Sequence, residues 1–322
     1  MKTVRKLAYL ALLVGFAQVV FGAIVRITGS GLGCGDSWPD CYGSFTPAHG
    51  ATTLLVEISH RYGAAALSIA IIALAAVAWS KRREPGVAGP GGALRPALLA
   101  LVLVVVAALF GAVTVKMALN PLVVVTHLAI AMALLATLVV AAVRAGGFRA
   151  AAVTDASDRT RRSGRAAVGL AFLTLIFGAL TANTPSAAVA CQGFPWCTSV
   201  AATGTPLYIQ ITHRIIAFVL FGHLIGVAIG VHKRREAGPL RTAAGIALSF
   251  VILQVLIAGA MVAMHLPPEL RSLHQAVGTA LWISVAALAT LASGRRNSAE
   301  IERIVYETPS RGEFATPEGV ST

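Results

Sequence analysis

The sequence predicts an all-α polytopic membrane protein, with eight transmembrane helices as two parallel-repeat four-helix bundles and both termini in the cytoplasm. Three observations carry this. First, 57% of the 322 residues are hydrophobic and only 12% are charged. The apolar residues gather into eight runs near 7–25, 54–79, 97–117, 121–143, 166–183, 207–231, 242–264 and 269–292. Runs of this length cross a hydrocarbon core of about 30 Å as helices, whereas a barrel shows short alternating segments. Second, 21 of the 26 Lys and Arg residues lie before the first run, in 81–95, 144–165 and 233–241, and after 294. These are alternate connections, so the bias places them inside. The net charge of +13 is thus a topology signal and a contact for anionic lipid, and excludes a nucleic-acid partner. Third, the second half repeats the first. Phe177-Gly178-Ala179 answers Phe21-Gly22-Ala23, and His213-Arg214 answers His60-Arg61 at an offset of 153. Met264, Pro268 and His274 answer Met117, Pro121 and His127 at an offset of 147. With four helices each, both halves run in the same sense, as a parallel repeat about the membrane normal.

In order along the chain, Met1–Lys6 is a short basic start. The run after it is too long for the apolar core of a signal peptide, and its counterpart at 166–183 is internal. From Arg26 to about 51 the glycines and Asp36-Ser37-Trp38-Pro39-Asp40 mark an outer loop. Trp38, Tyr42 and Phe45 suit the membrane interface. This Gly-rich stretch lacks the preceding strand and following Gly-Lys of a phosphate loop. The second run carries Glu57-Ile58-Ser59-His60-Arg61 near its start and ends at Lys81-Arg82-Arg83. Residues 85–96 read as a flexible inner loop, and Pro121 suits the first turn of a helix. The Arg-rich stretch 144–165 is a linker between an N-terminal half, 1–143, and a C-terminal half, 166–293. Residues 294–322 are polar, with too few apolar residues to fold, and read as a disordered cytoplasmic tail.

All four cysteines fall in outer loops, where disulfides persist. The spacings of Cys34 to Cys41 and Cys191 to Cys197 suit two local disulfides, each stabilising by about 2–3 kcal/mol through loop closure. No second ligand pair with zinc-finger spacing accompanies them.

Ionisable residues at membrane depth are costly and point to function. The even-numbered helices run from outside to inside, and each carries a histidine near its outer start: His60, His127, His213 and His274. Two histidines at matched depth on neighbouring helices provide bis-imidazole ligation for a haem slotted between helices. Two pairs predict two haem sites, one per half. Arg61 and Arg214, each beside a ligand, are candidate propionate contacts. The competing reading is that each histidine is an interhelical hydrogen-bonding residue, and four repeat-related positions weigh against it. His223 reads as a packing residue, His265 aligns with Ala118, and His49 and His232 lie at loop or helix ends. Glu57 has no acidic counterpart, because Gln210 occupies its place. An ion pair with Arg61 at i,i+4 would predict Glu in both halves, so a carboxylate in one half reads as chemistry confined to that half.

Thr28-Gly29-Ser30-Gly31, Glu57-Ile58-Ser59-His60-Arg61, Thr126-His127, Thr212-His213-Arg214 and Leu273-His274-Gln275 together resemble the haem A synthase family over roughly 1–292. The outer-loop cysteine pairs resemble its cysteine-pair-containing bacterial type. The resemblance implies a plasma-membrane oxidoreductase that oxidises the C8 methyl of haem O to a formyl group by successive hydroxylations, giving haem A for cytochrome oxidase. It implies haem b as cofactor on His213 and His274, and substrate haem between His60 and His127 with Glu57 as the catalytic residue. Implied partners are haem O, haem O synthase, a membrane electron acceptor and further copies of the chain. Two readings from other classes are a non-catalytic dihaem electron-transfer cytochrome and a quinone-linked thiol oxidoreductase. The first predicts equivalent halves, against Glu57 opposite Gln210. The second leaves the four histidines unexplained.

Overall fold

The structure is a computed structural model that describes residues 1–45, 51–150, 153 and 156–294. Helices α1 (Lys2–Ile27), α2 (Thr52–Ser80), α3 (Leu94–Lys116), α4 (Pro121–Arg144), α5 (Asp158–Asn183), α6 (Thr205–Lys233), α7 (Gly238–Ala263) and α8 (Pro268–Ala292) account for the eight expected runs. All eight are long and apolar enough to cross a membrane, and the chain is a multi-pass membrane protein. His49 and the tail from residue 295 onward lie outside the described residues.

Most helix starts lie a few residues ahead of the hydropathy runs, because helices project beyond the hydrocarbon. The largest difference is at α5, which begins eight residues inside the expected linker 144–165. Local chemistry explains it. Ser157 caps the helix by accepting the Thr160 N–H at 3.3 Å. Asp158 sits in the first turn and meets Arg161 at 2.6 Å. The starts of α4, α6, α7 and α8 carry Pro in the first turn, and Asn120 caps α4 by accepting the Leu122 N–H. One element was absent from the sequence reading. A two-residue antiparallel pair, β1 (Cys191–Gln192) with β2 (Ser199–Val200), follows a 3₁₀ turn at Ala187–Val189.

Each half closes a ring: α1 packs on α2, α2 on α3, α3 on α4 and α4 on α1, and α5 to α8 do the same. The halves meet where α4 and α8 face each other, flanked by α1 on α8 and α4 on α5. There Trp282 donates to the Met132 carbonyl at 2.9 Å. Arg26 of α1 also reaches the Ala182 carbonyl of α5 at 3.1 Å. One apolar core runs through both halves, and much of it is alanine: Ala8, Ala11, Ala97, Ala141, Ala167, Ala247 and Ala292 are buried. Lipid tails are as apolar as leucine, so close approach over small residues supplies the helix–helix attraction.

The two ends of the bundle differ. At one end Lys116 of α3 faces Asp36 of the first loop at 3.7 Å, and both cysteine loops gather there. At the other, Arg5 donates to the Gly146 carbonyl at 3.2 Å, and the Tyr9 hydroxyl accepts the Phe148 N–H at 2.7 Å. Glu236, between α6 and α7, is buried at this end. It accepts from Ser157 Oγ at 2.5 Å, Thr160 Oγ1 at 2.6 Å and Arg234 Nε at 3.4 Å. Burial opposes its charge, but the donors together outweigh burial and hold its carboxyl below the usual carboxylate range. Its contribution is therefore full above the ordinary carboxylate pKa and is lost as pH falls through the depressed value. Glu236→Gln is expected to cost about 1.5–3 kcal/mol at neutral pH. The gap from the parent protein should shrink on acidification, as thermal unfolding in detergent will show.

Candidate functional site

The histidines sit at matched heights. His60 and His213 are eight residues past the first residues of α2 and α6, and His127 and His274 are six past those of α4 and α8. At a rise of 1.5 Å per residue, all four lie roughly 9–12 Å below the helix starts at the disulfide end. The fold brings them together in the expected pairs. His60 is within electrostatic range of His127, and His274 of His213.

A glycine faces three of the four rings. A Cβ on Gly22 would stand 3.1 Å from Cε1 of His60, one on Gly178 2.9 Å from Cε1 of His213, and one on Gly111 3.6 Å from Cε1 of His127. This gives a physical reason for the Phe21-Gly22-Ala23 and Phe177-Gly178-Ala179 repeat, since any side chain there would displace a ring. The sequence reading missed Gly111, although Phe110-Gly111-Ala112 is a third copy of the same tripeptide. The Phe21 ring lies 6.0 Å from that of His60.

Polar contacts orient the rings. His213 Nδ1 donates to the Thr174 carbonyl of α5 at 3.1 Å. A carbonyl only accepts, so the proton is on Nδ1 and the Nε2 lone pair is left for a metal. Nδ1 of His127 and of His274 are buried without a hydrogen-bond partner among the described residues. Buried orphan nitrogens and ring slots that a Cβ would fill suit a flat, metal-centred macrocycle better than a packed polar core, so these residues fit a haem. His223 does not join them. Its Nε2 bonds the Ser163 carbonyl at 2.9 Å, ten residues further along α6.

Around His60 and His213, residues one turn apart clamp the cysteine loop of each half. Glu57 is buried, accepts the Cys34 N–H at 2.8 Å and pairs with Arg61 at 2.5 Å. Arg61 also donates to the carbonyls of Ser37 at 2.9 Å and Asp40 at 2.5 Å. In the second half Gln210 accepts the Cys191 N–H at 2.5 Å and donates to the Ala188 carbonyl at 3.0 Å. Arg214 donates to the carbonyls of Gly193 and Cys191 at 2.8 and 2.9 Å. Both expected disulfides, Cys34–Cys41 and Cys191–Cys197, are formed. The ion pair of Glu57 with Arg61 is therefore real, yet the same loop clamp works with an amide in the other half. Sequence reasoning missed the loop-holding role of both arginines, because nothing in the spacing shows that main-chain carbonyls will turn toward them.

The loops close differently over their halves. Phe194 lies 6.0 Å from the Phe218 ring, and a Cβ on Gly259 would stand 3.2 Å from it. Trp38, at the matching position of the first loop, is exposed.

The family of cytochrome oxidase assembly proteins, COX15-CtaA, matches residues 5–286. The chain is similar to proteins named heme A synthase from three bacteria. It is 30% identical to that of Geobacillus kaustophilus over 239 residues, 71% of each chain. It is 28% identical to that of Bacillus pumilus over 232 residues, 67% of this chain and 71% of the other. It is 26% identical to that of Bacillus cereus over 225 residues, 68% and 70% of the two chains. With nearly its whole helical region matched, this chain belongs to the COX15-CtaA family of cytochrome oxidase assembly proteins.

Proposed function

We propose that this chain is a haem A synthase, a membrane oxidoreductase that converts the C8 methyl of haem O to a formyl group. The observation that carries the reading is the two pairs of depth-matched histidines on α2/α4 and α6/α8, with glycine against three of their rings. The relatives named heme A synthase support it. The dihaem-cytochrome and thiol-oxidoreductase alternatives have no support from these relatives.

The first half takes the substrate haem between His60 and His127, and the second holds haem b between His213 and His274. Two observations favour this division. The acid Glu57 lies one turn from His60, whereas its counterpart Gln210 cannot exchange a proton near neutral pH. Phe194 also packs into the second half while Trp38 stays exposed over the first, which suits a resident group in one and an exchanging one in the other. Two hydroxylations of the methyl, each removing two electrons, give a geminal diol that loses water to the aldehyde. Glu57, hydrogen-bonded to the loop and paired with Arg61, takes up the protons released beside the substrate. Arg61 and Arg214 hold the loops by their carbonyls and are the cations that would pair with haem propionates at this end. Bound haem b supplies a one-electron relay toward an acceptor in the membrane. The basic connections orient the chain with both termini cytoplasmic, and a haem O synthase is the expected neighbour.

Cells that make haem O but no haem A test this. Expression of this chain should yield haem A in extracts, resolved by chromatography and mass. Haem O unchanged, with the protein present in the membrane, would overturn the reading.

A further inference from the structure

A cleft of about 420 Å³ opens between the end of α6 and the start of α7, at the opposite end of the bundle from the disulfides. Ala228, Ile229, His232 and Lys233 line it from the last two turns of α6, and Arg241 and Gly245 from the first turns of α7. Its mouth is cationic, and one turn deeper its floor is apolar. His232, Lys233 and Arg241 are exposed, and their side chains have no hydrogen bond or ion pair among the described residues. The nearest acid along the chain, Glu236, is buried and committed to Ser157, Thr160 and Arg234. Residues 237–268 contain no Asp or Glu. Three donors thus converge at the mouth with no carboxylate to answer them.

The cleft faces outward, toward lipid. Ile229 on its floor is 50% exposed, and Ile246 beside Gly245 is 45% exposed. A Cβ on Gly245 would meet nothing within 4 Å, nor would one on Gly226 or Gly222, seven and eleven residues before Lys233 on the same side of α6. The helix surface below the mouth is therefore bare. The apolar run of α6 ends near 231, so Lys233 stands at the height of lipid headgroups. His232 is 19 residues beyond His213, about 28 Å along the helix, so the cleft is remote from the histidine pairs. The first half has no equivalent. The offsets of 153 and 147 put Trp79, Ser80 and Leu94 where the second half has His232, Lys233 and Arg241. Arg82 there lies over the Trp79 ring, 4.9 Å from its centroid. Both connections satisfy the inside bias of Lys and Arg, so that bias does not account for a cationic mouth in one half alone.

We propose that this cleft binds one anionic phospholipid, its phosphate held by Lys233, Arg241 and His232 and the start of its acyl chains laid on Ala228, Ile229 and Gly245. Lys and Arg form charge-assisted hydrogen bonds to phosphate, and basic pockets between transmembrane helices take acidic headgroups. A bound anion also relieves the mutual repulsion of the two permanent cations. Free phosphate would answer the charge and leave the apolar floor uncovered, so the pairing of cations with an apolar floor at the membrane surface favours the lipid.

Native mass spectrometry of the purified full chain, delipidated in neutral detergent, provides the test. Offered phosphatidylglycerol or phosphatidylcholine with the same acyl chains, the protein should retain one phosphatidylglycerol in preference. A Lys233→Gln, Arg241→Gln double variant should bind it about 25-fold more weakly, since each cation near an anionic lipid contributes about fivefold. Its binding of phosphatidylcholine should be unchanged. Gly245→Leu keeps every charge and fills the floor, and it should weaken phosphatidylglycerol as well; it serves if the double variant does not accumulate. Arg235→Gln removes an exposed cation outside the cleft and should leave binding at the parent level. Parent-level binding of phosphatidylglycerol in both the double variant and Gly245→Leu would overturn the proposal. So would an equal loss in Arg235→Gln, which marks diffuse attraction, or displacement of the lipid by millimolar inorganic phosphate, which marks a soluble-anion site.

Discussion

Glu57→Gln is expected to abolish haem A formation while the protein folds, keeps haem b and binds haem O. Gln210 is the internal control for folding. It occupies the matching place, accepts the matching cysteine N–H and sits one turn before an arginine that holds the loop. An amide at 57 can therefore still accept from Cys34, and Arg61 keeps its loop carbonyls. What the substitution removes is the charge paired with Arg61 and the capacity to exchange a proton. Positioned acid–base groups contribute about 10²–10⁴-fold, so haem A should fall by at least about a hundredfold. Haem extracts from cells supplied with haem O measure it. Near-normal haem A would leave Glu57 as a loop clamp and remove the strongest reason for placing the chemistry in the first half.

The second large effect concerns the resident cofactor. His213→Ala or His274→Ala should each abolish the six-coordinate low-spin signal of haem b in the purified protein, because a single remaining imidazole leaves one axial position of the iron without its histidine. The losses in folding should be modest, since the His213 ring makes one hydrogen bond, to Thr174, and the His274 ring meets one side chain, the Gln254 amide. His223→Ala is the matched control on the same helix and should retain the spectrum, because its ring is tied to the Ser163 carbonyl. His60→Ala and His127→Ala should spare haem b and lose haem O binding. Reduced optical spectra of the five variants separate these outcomes.

Much of this was legible in the sequence. Hydropathy and the placement of Lys and Arg located eight helices, because lipid imposes length and polarity on every span. The cysteine pairing followed from spacing and loop position. Two things were not legible. The start of α5 is masked by arginines at 159, 161, 162 and 165, which break a hydropathy run yet sit comfortably on a helix capped by Ser157. Gln18, which meets His60, and Gln254, which meets His274, fall at positions the repeat does not equate, so internal comparison passes over them. They emerge only when α1 is packed on α2 and α7 on α8. Glu57 shows the reverse. Comparison with Gln210 singled it out, and the structure then added a loop-clamping role that both residues share.

The division of labour between the halves is the central claim, and pigment extraction from purified protein tests it most directly. The parent protein should yield haem b together with haem O or haem A. The His213→Ala, His274→Ala double variant should lose the haem b and still yield haem O. Full retention of a low-spin haem b spectrum in that double variant would contradict the account.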